Sequence, residues 1–373
     1  MSYYETIRAF AEANVAPNTA RADKEGRFPI ESFEAIRKAG YFGLMTPKEF
    51  GGLGGSMLDH VEACMAIGES CATTALCYMM HNVATLAVVM FGTEEMKKEF
   101  LPQIAQGKKI MALAFSETGT GTHFYNPEIS AVDHGKEAIL NGIKSFVTTA
   151  QIADEYLVVA KSLEGEGLDV WSVPLNAKGL SFEPSAWDGL GMRGNNSMPM
   201  RLDNVAIDKS RRIGGARKGT AVVFEAVGPL FIAGLAAIYS ALALTAYKIA
   251  RDHAKNRLYG DTPISHIPTV QEHLAKIYTL SQSSKALTLS AAKRGAEGAA
   301  DTFEQIVAAR INASNNAVEV CSLAMKVGGG AAYAKRSPLE RLLRDSYAAA
   351  VMAPSVDVLT IWLGRVVTDQ APL

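Results

Sequence analysis

Residues 116–122 read Ser-Glu-Thr-Gly-Thr-Gly-Thr, where hydroxyls and glycines lie close together. Glycines spaced in this way let backbone N–H groups come close to a ligand. The hydroxyls of Ser116 and Thr122 can donate to a ligand oxygen such as that of a phosphate. An ordinary polar turn has the same composition, so the motif alone leaves both readings open. His123 follows at once, either as a proton carrier near neutral pH or as a surface-loop histidine. His81 falls in a helical stretch and reads as packing. Glu340 and Asp345 read as structural acids paired with nearby arginines. The four cysteines, Cys64, Cys71, Cys77 and Cys321, show no metal-ligand spacing. They read as buried free thiols, a pattern suited to a reducing cytosol.

Positioning such residues takes more than one core. At 373 residues the chain is expected to form two or three domains. A net charge of −1 supplies no basic field for nucleic acid or an anionic membrane. No basic segment followed by an apolar run opens the chain, so no signal peptide is expected and a cytoplasmic location is. The segment Ala226–Tyr247 carries no charge and is long enough to span a bilayer. Gly228, Pro229, Gly234 and its many alanines weaken it as a lipid-facing segment, and we expect a buried central helix with no membrane span.

The periodicity changes twice. In residues 1–110, Ile7, Phe10, Ala11 and Val15 form a helical stripe that Pro17 is expected to end. Phe28-Pro29 opens a second helix that stops at Gly40. Leu58–Met90 reads as largely helical, with interruptions at Asn82 and Thr85. In residues 111–213, Glu137–Leu140 and Ile143–Thr148 flank Asn141-Gly142, a hairpin signal. Tyr156–Ala160 and Val170–Val173 read as further strands. From 214 onward helices return over 222–254, 268–297 and 302–327, the last stopped by Gly328–Gly330, and a terminal helix starts at Leu339. The expected fold is α+β, mostly α, with an N-terminal helical domain over 1–110. A central antiparallel β domain over 111–213 and a C-terminal helical bundle over 214–373 follow.

This order, together with several motifs, resembles the acyl-CoA dehydrogenase family over nearly the whole chain. Phe28-Pro29, Gly40-Tyr41-Phe42-Gly43-Leu44 and Gly51-Gly52-Leu53-Gly54 look like its N-terminal pattern. Phe91-Gly92-Thr93-Glu94-Glu95-Met96-Lys97 looks like its helix-connecting segment. The resemblance implies FAD as cofactor. It places Phe115, Ser116, Gly121 and Thr122 in the flavin-contacting loop. Phe146 falls where the family packs an aromatic, usually Trp, on the isoalloxazine, and Thr148 where a threonine bonds the N5 region. Arg257, Tyr259, Lys326, Gly329 and Gly330 would form a half-site supplied by a neighbouring subunit, with Asn256 at the family's usual arginine position. Ser355 and Asp357 would reach the adenosine part. The resemblance therefore also implies a homodimer or homotetramer.

Pro338–Asp345 resembles the stretch that precedes the family's catalytic glutamate, and the frame then sets Ala353 at the base position. Other members carry the glutamate on the first long C-terminal helix. Here that position is Leu230, followed by Phe231. A methyl or isobutyl group accepts no proton, whereas α-proton removal needs an acceptor within hydrogen-bond reach. Asp357, four residues past Ala353 and on one face if helical, and His123 remain as replacement bases. Glu225 lies more than a turn from Leu230. The resemblance thus implies an FAD-dependent oxidoreductase acting on the CH–CH group of an acyl thioester, with an atypical or missing base and an unspecified electron acceptor. Two alternatives share the fold: a flavin-dependent monooxygenase, and a base-less partner subunit of a heteromeric dehydrogenase.

Overall fold

The computed structural model describes residues 2–183 and 188–372. Six helices come first: α1 (Tyr3–Asn14), α2 (Ala16–Glu25), α3 (Ile30–Lys38), α4 (Met57–Ser70), α5 (Ala72–Phe91) and α6 (Glu94–Ala105). Eight strands follow: β1 (Met111–Ala114), β2 (Ser130–His134), β3 (Glu137–Val147), β4 (Glu155–Lys161), β5 (Leu168–Pro174), β6 (Leu180–Phe182), β7 (Met198–Asp208) and β8 (Arg212–Ile213). A short helix α7 (Gly219–Ala221) and a π-helical turn (Val222–Val227) lead into α8 (Gly228–Asn256). Next come a two-stranded ribbon, β9 (Leu258–Tyr259) and β10 (Thr262–Pro263), then α9 (Pro268–Ala296), α10 (Thr302–Tyr333), α11 (Pro338–Val351) and α12 (Val356–Val366). The α+β, mostly helical class and the helix–sheet–helix order are as expected from the sequence.

The helical core forms around α8, which packs on α4, α5, α9 and α10. Its small residues permit close approach: a Cβ at Gly234 would meet Met79 Cγ at 2.7 Å and His60 Nε2 at 2.8 Å. Ala72–Phe91 and Gly219–Asn256 are long and apolar enough to cross a membrane by length and composition. Most of each lies buried inside the protein, 78% and 67% of the most apolar stretch, so the uncharged segment is here the central helix. Ser56 starts α4 with a reciprocal cap, its Oγ accepting from Asp59 N while the Asp59 carboxylate accepts from Ser56 N.

The sheet runs β6-β7-β3-β2-β4-β5-β8, with β1 beside β4. It is mixed rather than purely antiparallel, because β1 and β2 both pair parallel with β4. The expected hairpin at Asn141-Gly142 does not form. Both residues lie inside the single strand β3, where a register shift against β7 falls between Leu140 and Gly142. Gly142 takes φ 141°, and Asn141 Oδ1 accepts from Asn204 N across the sheet at 2.8 Å. A bulge needs the same permissive residues as a turn.

Three helix boundaries also differ from expectation. Pro17 does not end α1. It sits in the first turn of α2, where a missing N–H costs nothing. The break in 58–90 falls at Cys71, extended at φ −156° with its Sγ accepting from Thr74 N, and not at Asn82 or Thr85. Gly328–Gly330 bend α10 without ending it: Gly329 alone is non-helical and the chain stays helical to Tyr333.

Candidate functional site

The sequence forms its most constrained loop where β1 ends. Lys144 on β3 is fully buried, and its Nζ donates to the Phe115 carbonyl at 3.1 Å and to the Glu117 carboxylate. Glu117, also buried, accepts from Glu128 N at 2.6 Å and Ile129 N at 3.2 Å, so one carboxylate ties both ends of the loop. Ser145 N adds a bond to the Ser116 carbonyl at 2.9 Å. Burial pulls Lys144 down to about 8, against the opposing pull of Glu117. A Cβ at Gly119 would strike the Glu128 carboxylate, whereas Gly121, at φ 53°, faces open space.

This loop reaches the helical domain at its tip. Thr122 Oγ1 accepts from Ser355 N at 3.1 Å, joining the candidate ligand loop to the segment that carries Ala353. Tyr125 packs beside Phe224 of the π-helical turn and Trp362 of α12, with ring centroids 5.8 and 6.1 Å apart. On β3 the ring of Phe146 is 66% exposed and its backbone is left-handed at φ 52°. Thr148 is buried, its hydroxyl 3.2 Å from that of Ser197. Phe115 and Ser116 thus lie against Lys144 and Ser145 of β3, two residues before Phe146, and Thr122 lies against Ser355 at the start of α12.

The segment Met352–Ser355 is a non-helical break between α11 and α12, which bend by 47°. Ala353 lies in it. Asp357 falls in the first turn of α12, beyond the break, so Ala353 and Asp357 do not share a helical face. Ser355 Oγ is instead the N-cap of that helix, accepting from Val358 N. Leu230 is buried in the first turn of α8, with His60 beneath it bonded to its backbone. Burial drives His60 down to about 3, which keeps that ring neutral. His123 is exposed, its Nδ1 2.7 Å from the Tyr125 hydroxyl. His81 is buried as packing: Nε2 bonds the Phe42 carbonyl at 2.9 Å and Nδ1 accepts from Met111 N.

The frame behind Ala353 is polar. Arg344 makes a two-pronged pair with Asp23, at 2.9 and 2.7 Å, and bonds Glu340 as expected. Among the described residues, Asp345 forms no ion pair with an arginine. Its carboxylate is buried and accepts from Met192 N at 2.7 Å. Arg310 is fully buried, donates to the Ala349 carbonyl at 3.1 Å and lies 4.7 Å from the Tyr239 ring centroid.

Arg257, Tyr259, Lys326, Gly329 and Gly330 lie apart from this cluster, exposed on the helical domain. Beside the loop, a cavity of about 560 Å³ is bounded by Thr120, His123, Tyr125, Glu128 and Lys161.

Three acyl-CoA dehydrogenase domain signatures match in chain order: the N-terminal domain over residues 2–108, the middle domain over 112–205 and the C-terminal domain over 233–367. A 3-(aryl)acrylate reductase of Clostridium sporogenes is 30% identical over 94% of this chain and 93% of its own length. The chain belongs to the acyl-CoA dehydrogenase family. An acryloyl-CoA reductase (NADH) of Anaerotignum propionicum is 28% identical, covering 97% and 93%. The butyryl-CoA dehydrogenase of Megasphaera elsdenii shares the fold at a TM-score of 0.93 and 22% identity, over 98% and 97% of the two chains.

As a member of this family the chain is a flavoprotein oxidoreductase. Its residues fit a flavin on their own chemistry. The exposed Phe146 offers an apolar face, and the half-buried Ser116 and Thr122 of the loop supply hydroxyls. Motif reading missed Lys144, Ser197, Arg310 and His60. A lysine inside an apolar strand was the available signal, since a buried cation requires a partner.

Proposed function

We propose that the chain binds FAD and acts at the Cα–Cβ bond of an acyl thioester without a carboxylate at either usual base position. The contact between Thr122 and Ser355 supports this reading, because it brings the 116–122 loop to the segment that carries Ala353. When bound, the flavin supplies hydride transfer. The chain's own part is to hold the ring against Phe146, to bind it through Ser116, Thr122 and Thr148, and to exclude water with Leu230, Phe231 and Met352. The cavity beside the loop, with Lys161 and His123 at its edge, suits the polar carrier end of the thioester. With Ala353 and Leu230 inert, any proton at the α-carbon passes through another group, such as solvent or a side chain of a second copy.

A second copy also suits the exposed cluster. Tyr259 is 81% and Tyr333 85% exposed, and Arg257, Lys326 and Gly329–Gly330 lie on the same helical domain. In a homodimer or homotetramer these would reach a neighbour's cofactor. The buried free cysteines support a cytoplasmic setting. Purified protein should be yellow and release FAD on heating. Anaerobic titration with mixed acyl-CoA thioesters should bleach its flavin band. Colourless protein that takes up no added FAD rejects the reading. A stable flavin band that bleaches with no thioester, with hydroxylated product once reduced flavin meets oxygen, replaces it with the monooxygenase.

A further inference from the structure

The Lys144–Glu117 pair has no assigned role, and its construction is unusual for a surface loop. Both side chains are buried, at 0% and 3% exposure. Removing two charges from water costs several kcal/mol unless hydrogen bonds satisfy them. Here they do: the carboxylate takes N–H groups from Glu128 and Ile129 besides Lys144, and Lys144 takes the Phe115 carbonyl. A pair of this kind contributes little net stability, so its effect is on geometry. Two residues along β3, Phe146 holds φ 52°, a left-handed backbone that persists only where the surroundings over-determine it. The register against β7 slips across this stretch, between Lys144 and Val147. On the far side Thr148 is tied to Ser197.

We propose that Lys144 and Glu117 are the positioning pair of this site, fixing together the curve of loop 117–129 and the left-handed turn at Phe146 so that both present themselves to one planar ligand. The proposal rests on the flavin reading of this site. Its test is the double variant Lys144→Met/Glu117→Gln, which removes both charges yet keeps a carboxamide oxygen for the Glu128 and Ile129 amides. Either single variant strands a buried charge and is expected to fold poorly. The double variant should melt near the wild-type temperature without cofactor. Its loop amides at Glu128 and Ile129 should exchange about tenfold faster or more, while those of β4 and β5 stay protected. FAD affinity, read by fluorescence quenching, should fall about tenfold or more. Unchanged FAD affinity overturns the proposal, whatever the exchange shows. Loss of protection across the whole sheet with a lowered melting temperature overturns it too, assigning the pair to fold stability. Wild-type protein that takes up no FAD rejects the flavin reading instead, and the exchange pattern then decides the clamp by itself.

Discussion

The β domain and the helical domain differ in what they offer a reaction. The sheet side is polar and tied down: Ser116, Glu117, Thr122, Lys144 and Thr148 all have hydrogen-bonded backbones or side chains. The helical domain carries the buried Leu230 with Phe231 at the start of α8, and Met352 and Ala353 in the break after α11, none of which can carry a proton. Behind that apolar surface the frame is charged again, through Arg344 with Asp23, Asp345 with the Met192 amide, and Arg310 with the Ala349 carbonyl. The helix before the break at 352–355 is thus tied at Arg344, Asp345 and Ala349. In the function proposed here, cofactor binding and proton transfer are separable demands, the first met from the sheet side and the second by neither Ala353 nor Leu230.

The largest expected effect comes from placing a carboxylate at position 353. Ala353→Glu together with Pro354→Gly should raise acyl-CoA-dependent flavin reduction by about 10²–10⁴, the usual contribution of one general base. The second change matters because Pro354 fixes its own φ and biases residue 353 away from helical angles. Stopped-flow bleaching under anaerobic conditions measures it. No gain would mean that the helical side differs by more than one carboxylate.

A smaller effect is expected on the sheet side. Thr122→Val removes the acceptor for Ser355 N and, in the proposed function, a hydroxyl that binds FAD. FAD affinity should weaken about tenfold, with about 1 kcal/mol lost from the apo protein in urea. Equal affinity in the variant would show that the loop tip joins domains without touching cofactor.

Reading the fold from sequence succeeded where residue types and order sufficed. The Ser116–Thr122 loop and the helix–sheet–helix order were legible because glycine spacing and periodicity are local. Asn141-Gly142 was misread because a bulge and a hairpin use identical residues, and only pairing of β3 with β7 distinguishes them. The supposed shared face of Ala353 and Asp357 failed for a similar reason, since Pro354 lies within the break that ends α11 before position 353. Lys144 carried a signal that motif reading passed over, but its partner Glu117 lies 27 residues away and is brought near only by the fold.

The frame behind Ala353 gives a pH test. Burial pushes the Asp345 carboxyl up to about 6, above its ordinary 3.8, despite the Met192 N–H it accepts. A carboxyl raised in the folded state favours folding while protonated, so its contribution is complete below about pH 4 and is lost as pH rises through 6. Asp345→Asn keeps the acceptor for Met192 N without the charge. It should match wild type near pH 4 and exceed it above pH 7 by about 3 kcal/mol, read by urea unfolding. A difference independent of pH would remove Asp345 from the groups that set acid stability.

The smallest effect tests whether this frame reaches the N-terminal domain. Arg344 on α11 grips Asp23 on α2 with two bonds, at side-chain exposures of 22% and 16%. Such two-pronged geometry is more specific than a single contact, yet partly exposed pairs contribute only about 1 kcal/mol. Arg344 also keeps Glu340 as a partner, so Asp23→Ala strands no unpaired cation. The variant should lose about 1 kcal/mol, less in high salt, because screening weakens exposed pairs. Its more informative readout is exchange at the Met192 amide, which Asp345, next in the chain to Arg344, holds from the same helix. If Asp23 steadies α11, that amide should exchange faster in Asp23→Ala while amides of α4 stay unchanged. Equal exchange at Met192 would mean that α11 is held from the helical bundle alone, through Arg310 and Ala349, and that the break at Ala353 is indifferent to the N-terminal domain.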